Sequence, residues 1–340
     1  MATPVVSVIL PFRNAAPTIG AALESLLGQT LRNLEIWAVD DCSNDGGREI
    51  AAALAESDPR LRVISSKSPH GIVAAVNSAW PVCRSDLIAR MDADDLSLPI
   101  RLEKQAACLQ SQSDLAAVSS LVEVPSAAGG FQRYIDWSNE LTLPEQIHRE
   151  RFVECPVVNP TMLARRSAIE AVGGHIDTVG PEDYDLWLRF LDAGHRIAKV
   201  PEVLYQWSDL PSRVTRTEDR YSEANFLRTK IPYLAKLPTV RSRGVLICGA
   251  GPIGKTVCQL LQSEGVDVHG FLEVSPRRIG QRIHGVKVLP GRTPQELPIP
   301  SPTAPVLLAC VGSTGGRNRV RALLTEAGFE EGETGFVCCA

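Results

Sequence analysis

The stretch Leu-Ile-Ala-Arg-Met-Asp-Ala-Asp-Asp-Leu, residues 87–96, decides how the rest of the chain is organised. Its first five residues are mainly apolar and predict a buried strand, and three carboxylates follow within four positions. A sheet interior cannot hold that much unpaired charge, because removing an ion from water costs several kcal/mol. The carboxylates are therefore expected to emerge at the carboxyl end of the strand, where open α/β sheets bind ligands.

The spacing of two of these carboxylates indicates a metal site. Asp92 and Asp94 are two positions apart, so on an extended chain their side chains point to the same side. Aligned carboxylates suit a hard divalent cation, and Mg2+ or Mn2+ usually takes one or two such ligands together with substrate phosphates. The spacing therefore predicts Mg2+ or Mn2+ bound by Asp92 and Asp94. The alternative is a solvated acidic turn that caps a helix beginning at Pro99, because Asp-x-Asp is too short a pattern to be specific.

Length and composition predict an ordinary globular protein with two domains. The chain has 340 residues, of which 44% are hydrophobic and 22% are charged, and this length exceeds one average domain. A net charge of −4 argues against a nucleic-acid partner, which a broad basic surface would attract. No apolar run reaches the roughly 20 residues of a membrane-spanning helix. Peripheral contact with a membrane stays compatible with the sequence.

Cysteine content and the amino terminus both predict a cytoplasmic protein. The nine cysteines show no metal-ligand spacing, and most lie in apolar runs, which is typical of free buried thiols in a reducing compartment. The first residues include neither the basic segment nor the apolar segment of a signal peptide.

Strand and helix signals alternate from the amino terminus. Apolar strands are predicted at 6–10, 35–39, 61–64 and 87–91, and residues with helical spacing of apolar side chains separate them. This alternation predicts an α/β domain with a doubly wound, mostly parallel sheet.

A second acidic turn follows the strand predicted at 35–39. Asp40, Asp41 and Asp45 crowd this loop, and in a parallel sheet it lies at the same edge as the first acidic turn. Carboxylates at this edge could accept hydrogen bonds from a nucleoside, as an acidic residue does in dinucleotide-binding folds. The alternative is a loop whose polar side chains cap the next helix. Two acidic loops on one edge favour a concave binding site.

Five segments, in order, resemble the signatures of the family 2 glycosyltransferases. They are Val-Ser-Val-Ile-Leu-Pro-Phe-Arg-Asn at 6–14, Val-Asp-Asp-Cys-Ser-Asn-Asp-Gly at 39–46, Gly-Ile-Val-Ala-Ala-Val-Asn at 71–77, Asp-Ala-Asp-Asp at 92–95 and Pro-Glu-Asp-Tyr-Asp-Leu-Trp-Leu-Arg at 181–189. The chain departs from the usual signatures at Cys42, where glycine is usual, at Val76, where arginine is common, and at Asn159, where histidine is frequent.

The resemblance implies a GT-A-like sheet sandwiched by helices and an inverting sugar transfer from a nucleotide diphosphosugar. The acceptor would be a hydroxyl of a saccharide or of a lipid-linked molecule, in the synthesis of a cell-surface polysaccharide or glycoconjugate. By analogy, Asp183 is the general base and Glu182 orients the site. A general base typically contributes roughly 100- to 10,000-fold. The alternative for both acids is the first turn of a helix, where carboxylates complement the helix dipole.

Donor and acceptor contacts are predicted on further residues. The donor-binding candidates are Pro11, Arg13, Asp40, Asp41, Asp45, Asn77, Asp92 and Arg213. Arg213 lies in a basic loop of the region that often closes over the donor in this family, and a solvated loop arginine is the alternative. Trp137, within a polar segment, is the acceptor-binding candidate as a platform for a sugar face, and a core tryptophan is the alternative.

The sequence restarts near residue 243. We predict a glycosyltransferase domain at 1–215, a helical linker at 216–242 and a small Rossmann-like domain at 243–340. The last of these begins with a strand, a glycine turn and a helix.

The glycine turn has the spacing of a dinucleotide fingerprint. Gly249, Gly251 and Gly254 lie in the turn, and Glu273 follows the last glycine by 19 residues. These four residues form a candidate second ligand site. Bound NAD(P), a bound nucleotide sugar and a purely structural use all stay open, and a structural or ligand-sensing role is favoured over redox catalysis.

Two rival functions make different demands on the sequence. A nucleotidyltransferase that makes nucleotide sugars would share the sheet and the metal carboxylates. It would also need a glycine-rich loop with arginine or lysine after the first strand, and Pro-Phe-Arg-Asn at 11–14 is not such a loop. A protein that only binds a nucleotide sugar or a dinucleotide through its carboxy-terminal domain would need no general base.

Overall fold

The computed structural model describes residues 3–67, 71–125, 129–209, 218–313 and 315–340. The chain divides into two compact units. The first contains the described residues of 1–148, 156–178 and 189–217, and the second contains those of 149–155, 179–188 and 218–340. The predicted domain boundaries stay predictions.

The strands and helices alternate along the chain as the sequence predicts. The strands are β1 Val6–Phe12, β2 Leu34–Asp40, β3 Leu61–Ser65, β4 Leu87–Arg90, β5 Leu96–Ser97, β6 Leu115–Glu123, β7 Leu163–Arg165, β8 Arg196–Gln206, β9 Val245–Cys248, β10 Val268–Glu273, β11 Arg282–Ile283, β12 Val286–Pro290, β13 Val306–Ala309 and β14 Phe336–Cys338. The helices are α1 Ile19–Leu27, α2 Gly47–Ser57, α3 Ile72–Ala79, α4 Arg101–Ser111, α5 Gly129–Glu140, α6 Pro144–Glu150, α7 Arg166–Ala171, α8 Glu182–Asp192, α9 Glu223–Lys236, α10 Pro238–Arg243, α11 Pro252–Ser263 and α12 Gly316–Glu326. Short 3-10 turns lie at Trp80–Val82, Asn159–Thr161, Asp219–Tyr221 and Pro294–Glu296.

The first sheet has the strand order β3-β2-β1-β4-β7-β6-β8-β5. β1 pairs in parallel with β2 and with β4, and β2 pairs in parallel with β3. β7 runs antiparallel to β4 and to β6, and β6 and β8 are parallel. The sheet is therefore mixed and mostly parallel, as predicted. β1 lies between β2 and β4, so the carboxyl ends of these three strands meet at one edge.

Alternating side chains of β1 bury both faces of this sheet. Val8 and Leu10 pack in one core cluster with Leu23 of α1, and Ile9 packs in a second cluster with Val76 of α3. Successive residues of a strand point to opposite faces, and parallel sheets are covered on both faces. Burying one such side chain contributes about 1.5–3 kcal/mol, so the covered sheet is a firm base for the loops at its edge.

The second unit contains a six-stranded sheet in the order β11-β12-β10-β9-β13-β14. β9 is central and pairs in parallel with β10 and with β13. The glycine turn joins β9 to α11, so the predicted small Rossmann-like domain is confirmed. α9 and α10 occupy much of the predicted linker and belong to this unit.

Two further predictions concern properties of the whole chain. All nine cysteines fall within the described residues and are free thiols, and most of them are buried. Among the helices that the structure describes, none combines the length and the apolar character needed to cross a membrane.

Candidate active site

The two acidic turns lie at one edge of the first sheet. Asp40 is the last residue of β2 and pairs in register with Phe12 at the end of β1. On the other side of β1, Arg90 at the end of β4 pairs with Ile9, and the 92–95 turn follows. The parallel topology therefore brings both turns beside the end of β1, as the sequence predicts.

The acidic turn after β4 contains two kinds of carboxylate. Asp92 and Asp94 are half-exposed, whereas Asp95 is fully buried. Asp95 accepts hydrogen bonds from the Tyr205 hydroxyl at 2.8 Å and from the Ser208 backbone N–H at 2.8 Å. One oxygen from each of the three acids lies within 4.8 Å of the others. Such a group of hard oxygen donors fits Mg2+ or Mn2+. Asp95 is in addition hydrogen-bonded to Tyr205 and Ser208, and these bonds stabilise the turn.

Two buried arginines bind the acidic turn and the backbone next to it. Arg90 Nη2 donates to Asp92 Oδ1 at 3.2 Å. Arg101 donates to the carbonyl oxygens of Arg90 at 3.3 Å and of Pro160 at 3.0 Å, and its guanidinium lies 5.3 Å from the centre of the Tyr205 ring. Burial lowers the pKa of Arg101 to about 10, so this side chain stays charged at neutral pH. Sequence reasoning did not assign these arginines, although a charged residue at the end of an apolar run is a signal for Arg90.

The acidic residues that end β2 are bound by the chain itself. Asp40 accepts hydrogen bonds from the Ser43 N–H at 3.0 Å and from Arg48 Nη1 at 3.1 Å. Asp41 accepts one from the Gly71 N–H at 3.0 Å. Both carboxylates are buried. These hydrogen bonds hold part of the acidic loop to the chain around it, and the roles of the two carboxylates toward a donor stay predictions.

Asp45 joins the turn after β1 to the turn after β2. Its carboxylate accepts hydrogen bonds from the N–H groups of Ala16 at 2.8 Å and Gly47 at 3.0 Å, and these bonds lower the pKa of Asp45. In the same loop Cys42 has φ +60°. This left-handed conformation favours glycine and explains why glycine is usual at that position in the family.

The remaining donor-binding candidates lie in or directly after β1, on α3, or outside the described residues. Pro11 is buried within β1, and Arg13 is exposed immediately after it. Asn77 is exposed on α3, where its amide donates to the His175 carbonyl oxygen at 3.0 Å. Arg213 lies outside the described residues. The roles of these four residues toward a donor stay predictions.

Trp137 lies on α5 and belongs to an aromatic group. It is half-buried, and its ring centre is 5.9 Å from that of Tyr134, which is in turn 6.2 Å from Trp207. The polar segment that contains Trp137 is helical. The role of Trp137 as an acceptor platform stays a prediction.

The candidate base and its neighbour open α8 in the second unit. Glu182 is buried, and its Oε2 accepts a hydrogen bond from the Tyr221 hydroxyl at 2.9 Å and lies 3.5 Å from Arg220 Nη1. Asp183 is half-exposed, and its Oδ1 accepts a hydrogen bond from the Tyr184 N–H at 2.7 Å. Sequence reasoning missed Arg220 and Tyr221, because they are distant in the chain and no local pattern marks them.

The glycine turn after β9 has the backbone of a tight strand-to-helix connection. Gly249 has φ +109°, and a Cβ atom at Gly254 would lie 2.0 Å from the Gly249 carbonyl oxygen. These two positions therefore require glycine. At Gly251 a Cβ atom would meet no other atom within 4 Å, so packing does not require this glycine.

Glu273 braces the glycine turn. Its carboxylate accepts hydrogen bonds from the N–H groups of Ala250 at 3.1 Å, Val274 at 2.8 Å and Ser275 at 3.0 Å, and from Arg278 at 3.1 Å. Burial by itself would raise the pKa of Glu273, but these donors hold it below its usual value. These contacts give Glu273 hydrogen-bond partners within the chain, so its position does not require a bound ribose.

Comparison with known proteins places these features in a family. Residues 7–173 match the family model described as Glycosyl transferase family 2. Over 255 residues the chain is 32% identical to EpsE of Bacillus subtilis, whose name describes it as a glycosyltransferase, and the match covers 70% of this chain and 89% of that protein. The chain belongs to glycosyltransferase family 2. This family 2 glycosyltransferase is also 30% identical over 193 residues to the O-antigen biosynthesis glycosyltransferase WbnJ of Escherichia coli, covering 55% of this chain and 72% of that one.

A solved structure confirms the fold of this family 2 glycosyltransferase. The mannosyltransferase PcManGT of Pyrobaculum calidifontis, in complex with GDP-Man and Mn2+, superimposes with a TM-score of 0.54. The match covers 78% of this chain and 70% of PcManGT at 21% identity, which supports a GT-A-like fold. The family decides between the rival functions, because the enzyme is a glycosyltransferase rather than a nucleotidyltransferase.

Proposed function

We propose that this glycosyltransferase moves a sugar from a nucleotide diphosphosugar to an acceptor hydroxyl, with inversion, in the synthesis of a cell-surface polysaccharide or glycoconjugate. The observation that carries the proposal is the pair of half-exposed carboxylates, Asp92 and Asp94, on a braced turn beside a second acidic turn. The printed name of WbnJ supports the polysaccharide class. The GDP-Man in PcManGT supports a nucleotide sugar as the donor.

Asp94, with Asp92 beside it, would hold Mg2+ or Mn2+. A cation bound there neutralises the charge that develops on the departing nucleoside diphosphate. The chain's own part is to keep the two carboxylates in place. Arg90 fixes the Asp92 side chain, and the hydrogen bond from Tyr205 to Asp95 fixes the backbone of the turn.

Asp183 would remove the proton from the acceptor oxygen as that oxygen attacks the anomeric carbon. The bond from this carbon to the diphosphate breaks on the opposite side, which gives inversion in one displacement. The half-exposed position of Asp183 suits this role, and the buried, hydrogen-bonded Glu182 suits an orienting role. His175 is a weaker candidate. Burial first, and then the charges of Arg90 and Arg189, lower the pKa of its imidazole to about 3, which makes it a poor base at neutral pH.

The donor nucleoside would bind at the acidic turn after β2. We propose that Asp40, Asp41 and Asp45 shape this turn for the base and ribose, since their carboxylates hold its backbone in place. Pro11, Arg13, Asn77 and Arg213 complete the proposed donor contacts, and Trp137 is the proposed acceptor platform.

For the candidate second ligand site we propose a structural use. Gly249 and Gly254 satisfy backbone and packing demands, and Glu273 is hydrogen-bonded within its own turn. Gly251 differs from these two glycines, because a Cβ atom at this position would meet no other atom within 4 Å.

A panel of nucleotide sugars, with GDP-Man first, would test the proposed function. Each donor is mixed with the enzyme and Mn2+, its binding is measured by the rise in melting temperature, and release of nucleoside diphosphate is followed. A donor at 100 times its Kd should stabilise the enzyme by about 2.7 kcal/mol. Release of pyrophosphate from a nucleoside triphosphate and a sugar phosphate, with no nucleoside diphosphate from any donor, would contradict the proposal.

A further inference from the structure

Side chains from 218–236 bind the acidic first turn of α8. The Tyr221 hydroxyl donates to Glu182 Oε2 at 2.9 Å, and Arg220 Nη1 lies 3.5 Å from the same oxygen. Tyr233, on α9, donates to Asp185 Oδ1 at 2.8 Å. The segment predicted as a linker therefore supplies partners for two of the carboxylates at the start of this helix.

The backbone before α8 is also held by α9. A Cβ atom at Gly180 would lie 2.0 Å from Thr229 Oγ1 and 2.9 Å from the Asn225 carbonyl oxygen. The Asn225 amide donates to the Asp219 carbonyl oxygen at 2.8 Å and so ties the 219–221 turn to α9. The 219–221 turn and the residue before α8 therefore both contact α9.

Glu182 connects the side chains of the 219–221 turn to Asp183, the proposed base. A buried carboxylate is stable only when it is paired or hydrogen-bonded, so Glu182 stays in the position that Tyr221 and Arg220 define. Asp183 is the next residue along the chain, and a shift of Glu182 would shift it as well. A displacement of about 1 Å in a reacting group can cost roughly 100-fold in rate.

We propose that Tyr221 is a positioning residue for transfer, acting through Glu182 to fix the first turn of α8 and therefore the direction of the Asp183 carboxylate. This inference rests on the proposed function, because it takes Asp183 as the general base. The inference assigns this role to Tyr221 and does not extend it to Tyr233, whose hydroxyl binds Asp185.

The test compares two tyrosine variants with matched chemistry. Tyr221→Phe removes the hydroxyl from Glu182, and Tyr233→Phe removes an equivalent hydroxyl from Asp185 on the same helix. With the donor found in the panel, Tyr221→Phe should lower kcat about 10-fold and leave the donor KM and the Kd for Mn2+ unchanged, because proton removal is misaligned while donor binding is not. Both variants should lower the melting temperature by a similar amount, because each loses one hydrogen bond. Tyr233→Phe should nevertheless keep kcat within twofold of the wild type. Equal kcat values for the two variants would overturn the proposal.

A double-mutant cycle tests whether Tyr221 acts through Glu182. If it does, Tyr221→Phe in a Glu182→Ala background should change kcat by less than about twofold, because the partner is already gone. Effects that multiply would show an independent role and overturn the proposal. If Tyr221→Phe does not fold, Arg220→Gln replaces it, since Arg220 lies close to the same oxygen.

Asp183→Asn in the same assay separates this inference from the proposed function. If that variant transfers sugar at the wild-type rate, the assignment of the base is wrong, whatever Tyr221→Phe does. If Asp183→Asn is inactive and Tyr221→Phe matches the wild type, the base assignment stands and the positioning role of Tyr221 is wrong.

Discussion

An acidic turn follows β4 in the first unit, and β10 in the second unit ends in an acidic residue at a turn. After β4, Asp92 and Asp94 are half-exposed, while Asp95 is buried and hydrogen-bonded to the chain. At the end of β10, Glu273 is buried and accepts four hydrogen bonds from Ala250, Val274, Ser275 and Arg278. The comparison teaches that position after a strand does not make a carboxylate a ligand. Burial separates the acid that braces this turn from the acids that we propose as metal ligands.

The largest expected effect tests the exposed side of this comparison. Asp94→Asn, or EDTA added to the wild type, should lower transfer about 1,000-fold or more, because several kcal/mol of charge stabilisation would be lost. Release of nucleoside diphosphate measures the effect. Asp114→Asn is the matched control, because Asp114 is an exposed acid of the first unit that pairs with Arg196, and its turnover should stay near that of the wild type. Full activity in EDTA would remove the metal from the mechanism.

The next effect concerns Asp183, which is half-exposed while the adjacent Glu182 is buried. Asp183→Asn keeps the size of the side chain and removes its basicity, so transfer should fall roughly 100-fold or more. Donor binding and melting temperature should stay near the wild-type values. Glu182→Gln should lower transfer less, because we propose that Glu182 orients the site and does not take the proton. An Asp183→Asn enzyme that melts early yet transfers normally would show that the acid only caps the helix.

A smaller effect tests the buried side of the comparison. Glu273→Gln should lower the free energy of unfolding by about 1–2 kcal/mol, because donors that now meet a carboxylate would lose part of their pairing. The pKa of Glu273 is lowered in the folded protein from its usual 4.5. Its contribution is therefore complete above that usual value and is lost as the pH falls through the lower folded-state value. Denaturant unfolding of both proteins at neutral and acidic pH measures this. If the difference in unfolding free energy between the wild type and Glu273→Gln stays the same at acidic pH, the ionised carboxylate of Glu273 does not stabilise the turn.

The smallest effect concerns the backbone of the two turns. The turn after β9 has glycine at its left-handed position, Gly249, whereas the turn after β2 has Cys42 at φ +60°. Cys42→Gly should raise the free energy of unfolding by up to about 1 kcal/mol, because the relieved strain exceeds the entropy that glycine adds to the unfolded chain. Thermal melting measures the change. A lower melting temperature would mean that contacts of the cysteine side chain outweigh its backbone strain.

The sequence by itself determined the elements and the edge where the chemistry lies. Apolar runs and helical spacing predicted β1 to β4 and their order along the chain, because each pattern records which side of a local element is buried. The acidic turns at Asp40 and at Asp92 followed from the same reasoning, since charge cannot stay inside a sheet. The five motifs were enough to indicate the family that the comparisons confirm.

Only the tertiary structure decided which acids are buried and which distant side chains bind them. Tyr205 reaches Asp95 from 110 positions away, and Tyr221 reaches Glu182 from 39 positions away. The antiparallel β7 beside β4 is likewise a pairing between distant segments. A local pattern records the conformation and the buried face of its own segment, whereas a hydrogen-bond partner distant in the chain is set by how the sheet and helices pack. For that reason Asp92, Asp95 and Glu273 look alike in the sequence and differ in the folded protein.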